Sequence, residues 1–170
     1  RLVNDRAFGR VTSYLAQGKI LVGGRTDPSD RYIEPTLLAE VDPGAPVMQE
    51  EIFGPVLPML PFDDIGEAVA LINDREKPLA LYYFGPEKTG REVLLHTSSG
   101  GACINDTIMQ IANDRLPFGG VGNSGMGRYH GHDSFDAFSL RRGVVESPAR
   151  PDLPLRYPPY KGFRWVKKIL

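Results

Sequence analysis

The chain has 170 residues, enough for one ordinary domain with its own core, and with 41% apolar residues it is expected to fold. Lysine and arginine number 20 against 21 aspartates and glutamates, a balance that gives no electrostatic reason for nucleic acid or an anionic membrane as partner. No apolar run approaches the roughly 20 residues that span a bilayer, and the single cysteine, Cys103, has no internal disulfide partner, which fits a reducing, cytoplasmic location.

Arg1 is not a start methionine and the first residues read as the interior of a longer chain, so a fragment is expected. From Asp5 to Gln17, Phe8, Val11, Tyr14 and Leu15 recur at helical spacing, with Asn4 or Asp5 as N-cap and Gly18 as terminator. Ile20 to Val22 reads as a short strand closed by Gly23 and Gly24, Thr26 to Asp30 as a turn, and Thr36 to Val41 as a second strand between Pro35 and Pro43. Pro55 to Phe62 is apolar and extended, but its three prolines confine it to an edge or to irregular pairing. Asp63 or Asp64 caps a helix that runs to Ile72 with Ile65, Ala68, Val69 and Ile72 on one face. Leu79 to Phe84 is continuously apolar without alternation, which predicts a strand covered on both faces, as in a parallel sheet. A helix over Glu87–Thr97 and a short buried strand over Gly101–Ile104 follow. The alternation predicts an α/β layered fold with a mostly parallel sheet. Beyond it, Asn105 to Gly131 reads as a glycine-rich loop, Phe135 to Val145 as extended chain, Glu146 to Tyr160 as a proline-rich tail, and Lys161 to Leu170 as a short basic helix.

Gly120-Val-Gly-Asn-Ser-Gly125 matches G-x-G-x-x-G, but a dinucleotide fingerprint needs a strand before it and a helix after it, and neither pattern is present, so turns are expected. Cys103 sits among Gly101, Ala102 and Ile104, the setting of a buried, inert thiol rather than a nucleophile. His130, His132 and Asp133 lack further ligands for a metal, and His96 reads as structural. The informative segment is Gln49 to Pro55, where two adjacent carboxylates meet Ile52 and Phe53 at a Gly-Pro turn. A carboxylate offers two acceptor oxygens and no donor, which suits a sugar diol. The competing reading is a helix end with solvated carboxylates.

Glu50-Glu-Ile-Phe-Gly-Pro55 resembles the E-E-I-F-G-P segment of aldehyde dehydrogenases, and Pro117-Phe-Gly-Gly120 followed by Ser124-Gly125 resembles another segment of that family. Lys77 to Tyr82, Thr97 to Gly101 with Asn105-Asp106, Gly119 to Gly127, Tyr129 to Gly131, Ser134-Phe135, Phe138-Ser139 and Arg141-Arg142 are similar to the class 3 branch of aromatic and fatty aldehyde dehydrogenases. The resemblance covers Arg1 to Val145 and returns at Arg156 to Pro159. It implies NAD or NADP as cofactor and an apolar or aromatic aldehyde as substrate. In that family a cysteine thiolate attacks the aldehyde, donors hold the oxyanion, hydride leaves to the nicotinamide, and a glutamate-activated water releases the acid.

The resemblance places the nucleophile, the oxyanion asparagine, the general base and the Rossmann domain upstream of this chain, so no catalytic residue is named in it. Glu51 matches the glutamate that binds the nicotinamide ribose, and Phe53 the aromatic beside the nicotinamide. Asn105, Thr107, Ile108, Met109, Gln110 and Phe118 match positions that shape the substrate channel. The implied organisation is catalytic-domain sequence over 1–134, an oligomerisation strand over 135–145 that joins a homodimer, and a tail over 146–170. The alternative is a free-standing, non-catalytic binding or oligomerisation module.

Overall fold

A computed structural model describes residues 1–148 together with Arg150, residues 157–159 and Lys167. The basic helix expected over Lys161–Leu170 lies outside the described residues, as does most of the proline-rich tail.

Helix α1 spans Asp5–Tyr14, and the Asn4 side chain accepts the Ala7 N–H at 2.8 Å, so Asn4 is the N-cap. The helix ends earlier than the periodicity suggests, because Leu15 and Gln17 bond back to Thr12 and Tyr14 in a tightened last turn. That turn delivers Gly18 onto the next strands so closely that an added Cβ would lie 2.7 Å from the Ala39 carbonyl oxygen. Strand β1, Lys19–Val22, then pairs antiparallel with a later strand. Between them lies a small hairpin, β2 (Thr26–Asp27) and β3 (Tyr32–Ile33), closed by a 3-10 turn over Pro28–Asp30. Strand β4, Thr36–Ala39, is the centre of a three-stranded sheet of order β1-β4-β5, and β5, Val56–Pro58, runs parallel to it with Thr36 opposite Val56. The proline-rich stretch is thus an edge strand, one of the two arrangements its prolines allow.

Helix α1 lies over this sheet and closes a core of Leu2, Val11, Tyr14, Ile33, Leu38, Val41, Val47 and Val56. Val11, Tyr14 and Leu38 are enclosed entirely. Burying an aliphatic side chain of this size contributes roughly 1.5–3 kcal/mol, so this cluster dominates the stability of the first region.

Helix α2, Ile65–Asn73, is capped by Asp64, whose carboxylate accepts the Gly66 N–H at 2.7 Å. Strand β6, Ala80–Tyr83, pairs parallel with β7, Gly101–Ile104, and helix α3, Glu87–His96, is the crossover. Gly90 lets α3 sit down on this pair: a Cβ there would be 2.7 Å from the Tyr83 ring. The run from Leu79 to Phe84 is not covered on both faces; Tyr82 and Phe84 are exposed, because β6 and β7 form a two-stranded sheet in the described residues. Of the segment expected to be extended, Phe135 to Ala137 instead end helix α5, Gly131–Ala137, and Phe138 to Val145 pair with no strand among the described residues. The expected loop between Asn105 and Gly131 also contains a short helix α4, Met109–Ala112, and a 3-10 turn over Gly122–Ser124.

Candidate functional site

The segment singled out by its paired carboxylates follows a 3-10 turn over Pro46–Met48, not the end of an α-helix. Its first part is fixed from below. The Val47 N–H donates to Gln17 Oε1 at 2.9 Å, Gln49 Nε2 donates to the Pro43 carbonyl at 2.9 Å, and Arg75 donates to the carbonyls of Met48 and Pro43. Its second part is fixed by Arg10 of α1. One guanidinium nitrogen donates to the Glu51 carbonyl at 3.1 Å and the other to the Ile52 carbonyl at 2.8 Å. Arg10 is itself held by the Tyr14 hydroxyl oxygen at 2.6 Å, and that hydroxyl donates to the Glu50 carboxylate at 2.9 Å. The Glu50 carboxylate also lies 3.5 Å from the Arg10 guanidinium.

The two adjacent acids are therefore sorted by their neighbours. Glu50 turns in to Arg10 and Tyr14, while Glu51 is exposed and no hydrogen bond or ion pair engages its carboxylate among the described residues. Ile52 packs against the core. Phe53 takes a left-handed backbone at φ 46 and leaves its ring 76% exposed. Gly54 comes next, close enough to α1 that a Cβ would sit 2.8 Å from a Val11 methyl. A non-glycine residue in the left-handed region is held there by its surroundings, and such residues cluster where ligands are gripped.

The second group of site residues follows β7. The Asn105 N–H donates to the Tyr83 carbonyl at 2.7 Å, and its side-chain amide both accepts from Gly85 N at 2.8 Å and donates to Gly85 O at 3.0 Å. Asn105 thus latches the exits of β6 and β7 together, at φ 58, and shapes the following loop through the backbone. The Thr107 N–H donates to the Asp106 carboxylate at 2.7 Å. Ile108, also left-handed at φ 67, and Met109 project apolar side chains into solvent. Gln110 folds back onto the sheet: its Oε1 accepts from Cys103 Sγ at 3.0 Å and its Nε2 donates to the Tyr82 hydroxyl at 2.9 Å. The Cys103 thiol is half-buried and faces an amide oxygen, which is no base. Phe118 bonds Tyr129 in both directions across an isolated bridge, and their rings meet edge to face at 5.7 Å. No hydrogen bond, ion pair or ring contact joins the Glu51–Phe53 group to the Asn105–Phe118 group among the described residues.

The glycine-rich motif closes on itself. Val121 N–H donates to Ser124 Oγ at 2.9 Å, and a Cβ on Gly120 would meet the Ser124 backbone at 2.2 Å. It is a set of turns without the strand and helix of a dinucleotide fingerprint. His132 pairs with Asp136 at 3.4 Å, and the described residues contain no group of three or more metal-ligating side chains. Sequence reasoning missed Arg10 and Arg75, because arginines on or beside an amphipathic helix read as solvated charge. It also placed Tyr14 on the apolar face without a use for its hydroxyl.

The aldehyde dehydrogenase family model matches residues 2–144. The chain is 48% identical over 171 residues to the 4,4'-diaponeurosporen-aldehyde dehydrogenase of Staphylococcus aureus (strain NCTC 8325 / PS 47), with 98% of this chain and 37% of that protein covered. It is 52% identical over 162 residues to the dimeric NADP-preferring aldehyde dehydrogenase of Rattus norvegicus, with 94% and 36% covered. A substrate-bound structure of Staphylococcus aureus AldH superposes with a TM-score of 0.80 at 47% identity, covering 99% of this chain and 38% of that one. A Mycobacterium tuberculosis aldehyde dehydrogenase complexed with NAD+ gives 0.71 at 33% identity, with 81% and 30% covered. The chain therefore spans little more than a third of the length of these relatives at most. The extent of the family match and the relatives' identity agree with the α/β architecture and the Glu50–Pro55 segment, and the chain belongs to the aldehyde dehydrogenase family.

Proposed function

We propose that this chain is the part of an NAD(P)-dependent aldehyde dehydrogenase that grips the nicotinamide ribose and lines the aldehyde channel, in an enzyme that oxidises an apolar or aromatic aldehyde to the acid. The observation that carries the reading is the sorting of the two carboxylates: Glu50 is tied to Arg10 and Tyr14, and Glu51 is left exposed on a backbone held at both ends. A carboxylate with all its acceptor capacity open suits two ribose hydroxyls. The Phe53 ring, exposed on the same segment, suits a planar aromatic cofactor head. When bound, the dinucleotide supplies the acceptor for the hydride of the aldehyde carbon. This chain's part is orientation, in which Glu51 fixes the ribose and Phe53 the ring, so that a small displacement costs rate. Ile108, Met109 and Phe118 offer apolar surface to an aldehyde body, while Gln110, turned onto the sheet, lets the loop keep that apolar character.

The nucleophile, the oxyanion donors and the general base are assigned to polypeptide outside this chain. Support comes from Cys103, whose thiol has an amide and no base as its partner. A homodimer through residues 135–145 is part of the proposal, supported by the exposure of Phe138, Leu140, Val144 and Val145. So is a cytoplasmic location, supported by the unpaired thiol. No helix among the described residues is long and apolar enough to cross a membrane.

The test is Glu51→Gln in the complete protein. Removing a charged acceptor from a ligand costs about 1.5–3 kcal/mol. Affinity for NAD(P) is therefore expected to fall about tenfold to a hundredfold with thermal unfolding unchanged. Unaltered cofactor binding and turnover in that variant would exclude the ribose assignment.

A further inference from the structure

We infer that Arg10 is a positioning residue for the cofactor, acting through the backbone of Glu51 and Ile52; the inference rests on the assignment of Glu51 to the ribose. The sequence of contacts starts in the core. Val11 and Tyr14 bury one face of α1, which fixes where the neighbouring Arg10 side chain emerges. Its guanidinium then reaches two successive carbonyls, Glu51 at 3.1 Å and Ile52 at 2.8 Å. Successive carbonyls of an extended chain point to opposite sides, so a shared donor requires the chain to turn at this point. The turn continues into Phe53 at φ 46. Among the described residues no other hydrogen bond engages the backbone of Glu51, Ile52, Phe53 or Gly54. Arg10 is thus the polar hold on the stretch that carries both the carboxylate and the aromatic ring.

The guanidinium nitrogen that donates to the Glu51 carbonyl also meets the Tyr14 hydroxyl at 2.6 Å and the Glu50 carboxylate at 3.5 Å. Its charge is compensated within the chain, so Arg10 needs no anion from the ligand to sit where it does. The planar fork is what matches two carbonyls at once. A lysine ammonium on a flexible stem carries the same charge without that geometry. Arg10 has been placed where it determines the direction of Glu51 without touching the cofactor itself.

The experiment compares Arg10→Met, Arg10→Lys, Glu51→Gln and the double variant R10M/E51Q, each in the complete protein. Three quantities are read: hydrogen exchange across residues 51–54 without cofactor, the Kd for NADH by fluorescence titration, and the KM of cofactor and aldehyde separately. Faster exchange confined to 51–54 is expected in R10M and R10K. Both variants are expected to bind NADH about tenfold more weakly, as loss of alignment rather than of contact. The aldehyde KM should stay in place, and R10M should add little to E51Q, because both act on one contact. Wild-type NADH binding in R10M, where E51Q is impaired, would overturn the role of Arg10 and leave the ribose assignment standing. Unimpaired binding in E51Q would remove the ribose assignment, and the exchange data would still report the backbone hold. Full restoration by lysine would reduce Arg10 to a charge and overturn the two-carbonyl clamp. Should R10M fail to fold, R10K reads the same quantities with the charge retained.

Discussion

Among the described residues, eight of the nine buried apolar side chains form one cluster between Leu2 and Val56, and the ninth, Val93, stands apart on α3. The two regions are built from similar pieces, a helix laid on a small sheet, yet only the first closes. In the first region, Leu38 of β4 and Val56 of β5 pack in one cluster with Val11 and Tyr14 of α1, and Ile33 of β3 and Val47 of the 3-10 turn at Pro46 seal the sides. In the second, β6 and β7 are parallel, an arrangement that needs layers on both faces, and α3 covers one. Tyr82 on β6 and Phe84 just after it are left in solvent, and elsewhere in this region Leu95 is 81% exposed, Met126 99% and Phe138 93%. Patches of this kind mark surfaces that other polypeptide covers. The candidate ribose grip is anchored on the closed region and the channel loop on the open one. The backbone that carries Glu51 is held within this chain, whereas Ile108 and Met109 on the loop after β7 are exposed.

The contrast can be broken at several points. The largest effect is expected from the 170-residue chain on its own: no NAD-dependent aldehyde oxidation above background, and self-association through the second region, visible in sedimentation. Turnover that persists in Cys103→Ser would break the assignment of the catalytic groups to other polypeptide. Next is the closed core. Leu38→Ala in the complete protein should cost about 2–5 kcal/mol in denaturant unfolding, because Leu38 is enclosed by the first region itself. Asn4→Ala, which removes the cap of α1, should cost about 0.5–2 kcal/mol in the same measurement. Phe138→Ser should change folding stability by less than about 0.5 kcal/mol while weakening self-association in sedimentation; a stability loss as large as that of Leu38→Ala would show that the open region has a core of its own.

The smallest effect concerns pH. The Arg25 side chain bonded to Glu34, together with its N–H, holds that carboxyl below the usual carboxylate range. Arg141, bonded to Asp136 at 2.7 Å, does the same in the second region. A carboxyl whose folded value is depressed favours the folded state above its unfolded value and loses that contribution as pH falls through the folded one. Carboxyl chemical shifts should therefore show both groups ionised to lower pH than an unfolded chain, in the acid region below the usual carboxylate range. The arginine of each pair is exposed, so high salt should move the midpoints back toward ordinary values. Midpoints that salt leaves unmoved would mean that the two pairs do not cause the shifts.

Much of this fold is legible in the sequence. The helix periods placed α1, α2 and α3, and the prolines of the Pro55–Phe62 stretch confined β5 to an edge or to irregular pairing. The unalternating Leu79–Phe84 run read correctly as a parallel strand and wrongly as a covered one, because hydrophobicity reports what a strand tolerates, not whether the covering layer belongs to the same chain. Within Phe135 to Val145 the first three residues end α5, because a helical turn that begins at Gly131 runs past the point where the apolar content suggests extended chain. At the site, the motif located the acids but was silent about their division of labour.

Local patterns of polarity, proline and glycine carry the family resemblance, the three longer helices, the strands β1 and β4 to β7, and the paired acids. Only the tertiary structure decided which acid faces outward and which arginine holds it. That choice depends on Arg10 and Tyr14 meeting Glu50, Glu51 and Ile52 from about forty positions away along the chain. Local pattern carries no information about such a meeting; the packing of α1 onto the sheet creates it.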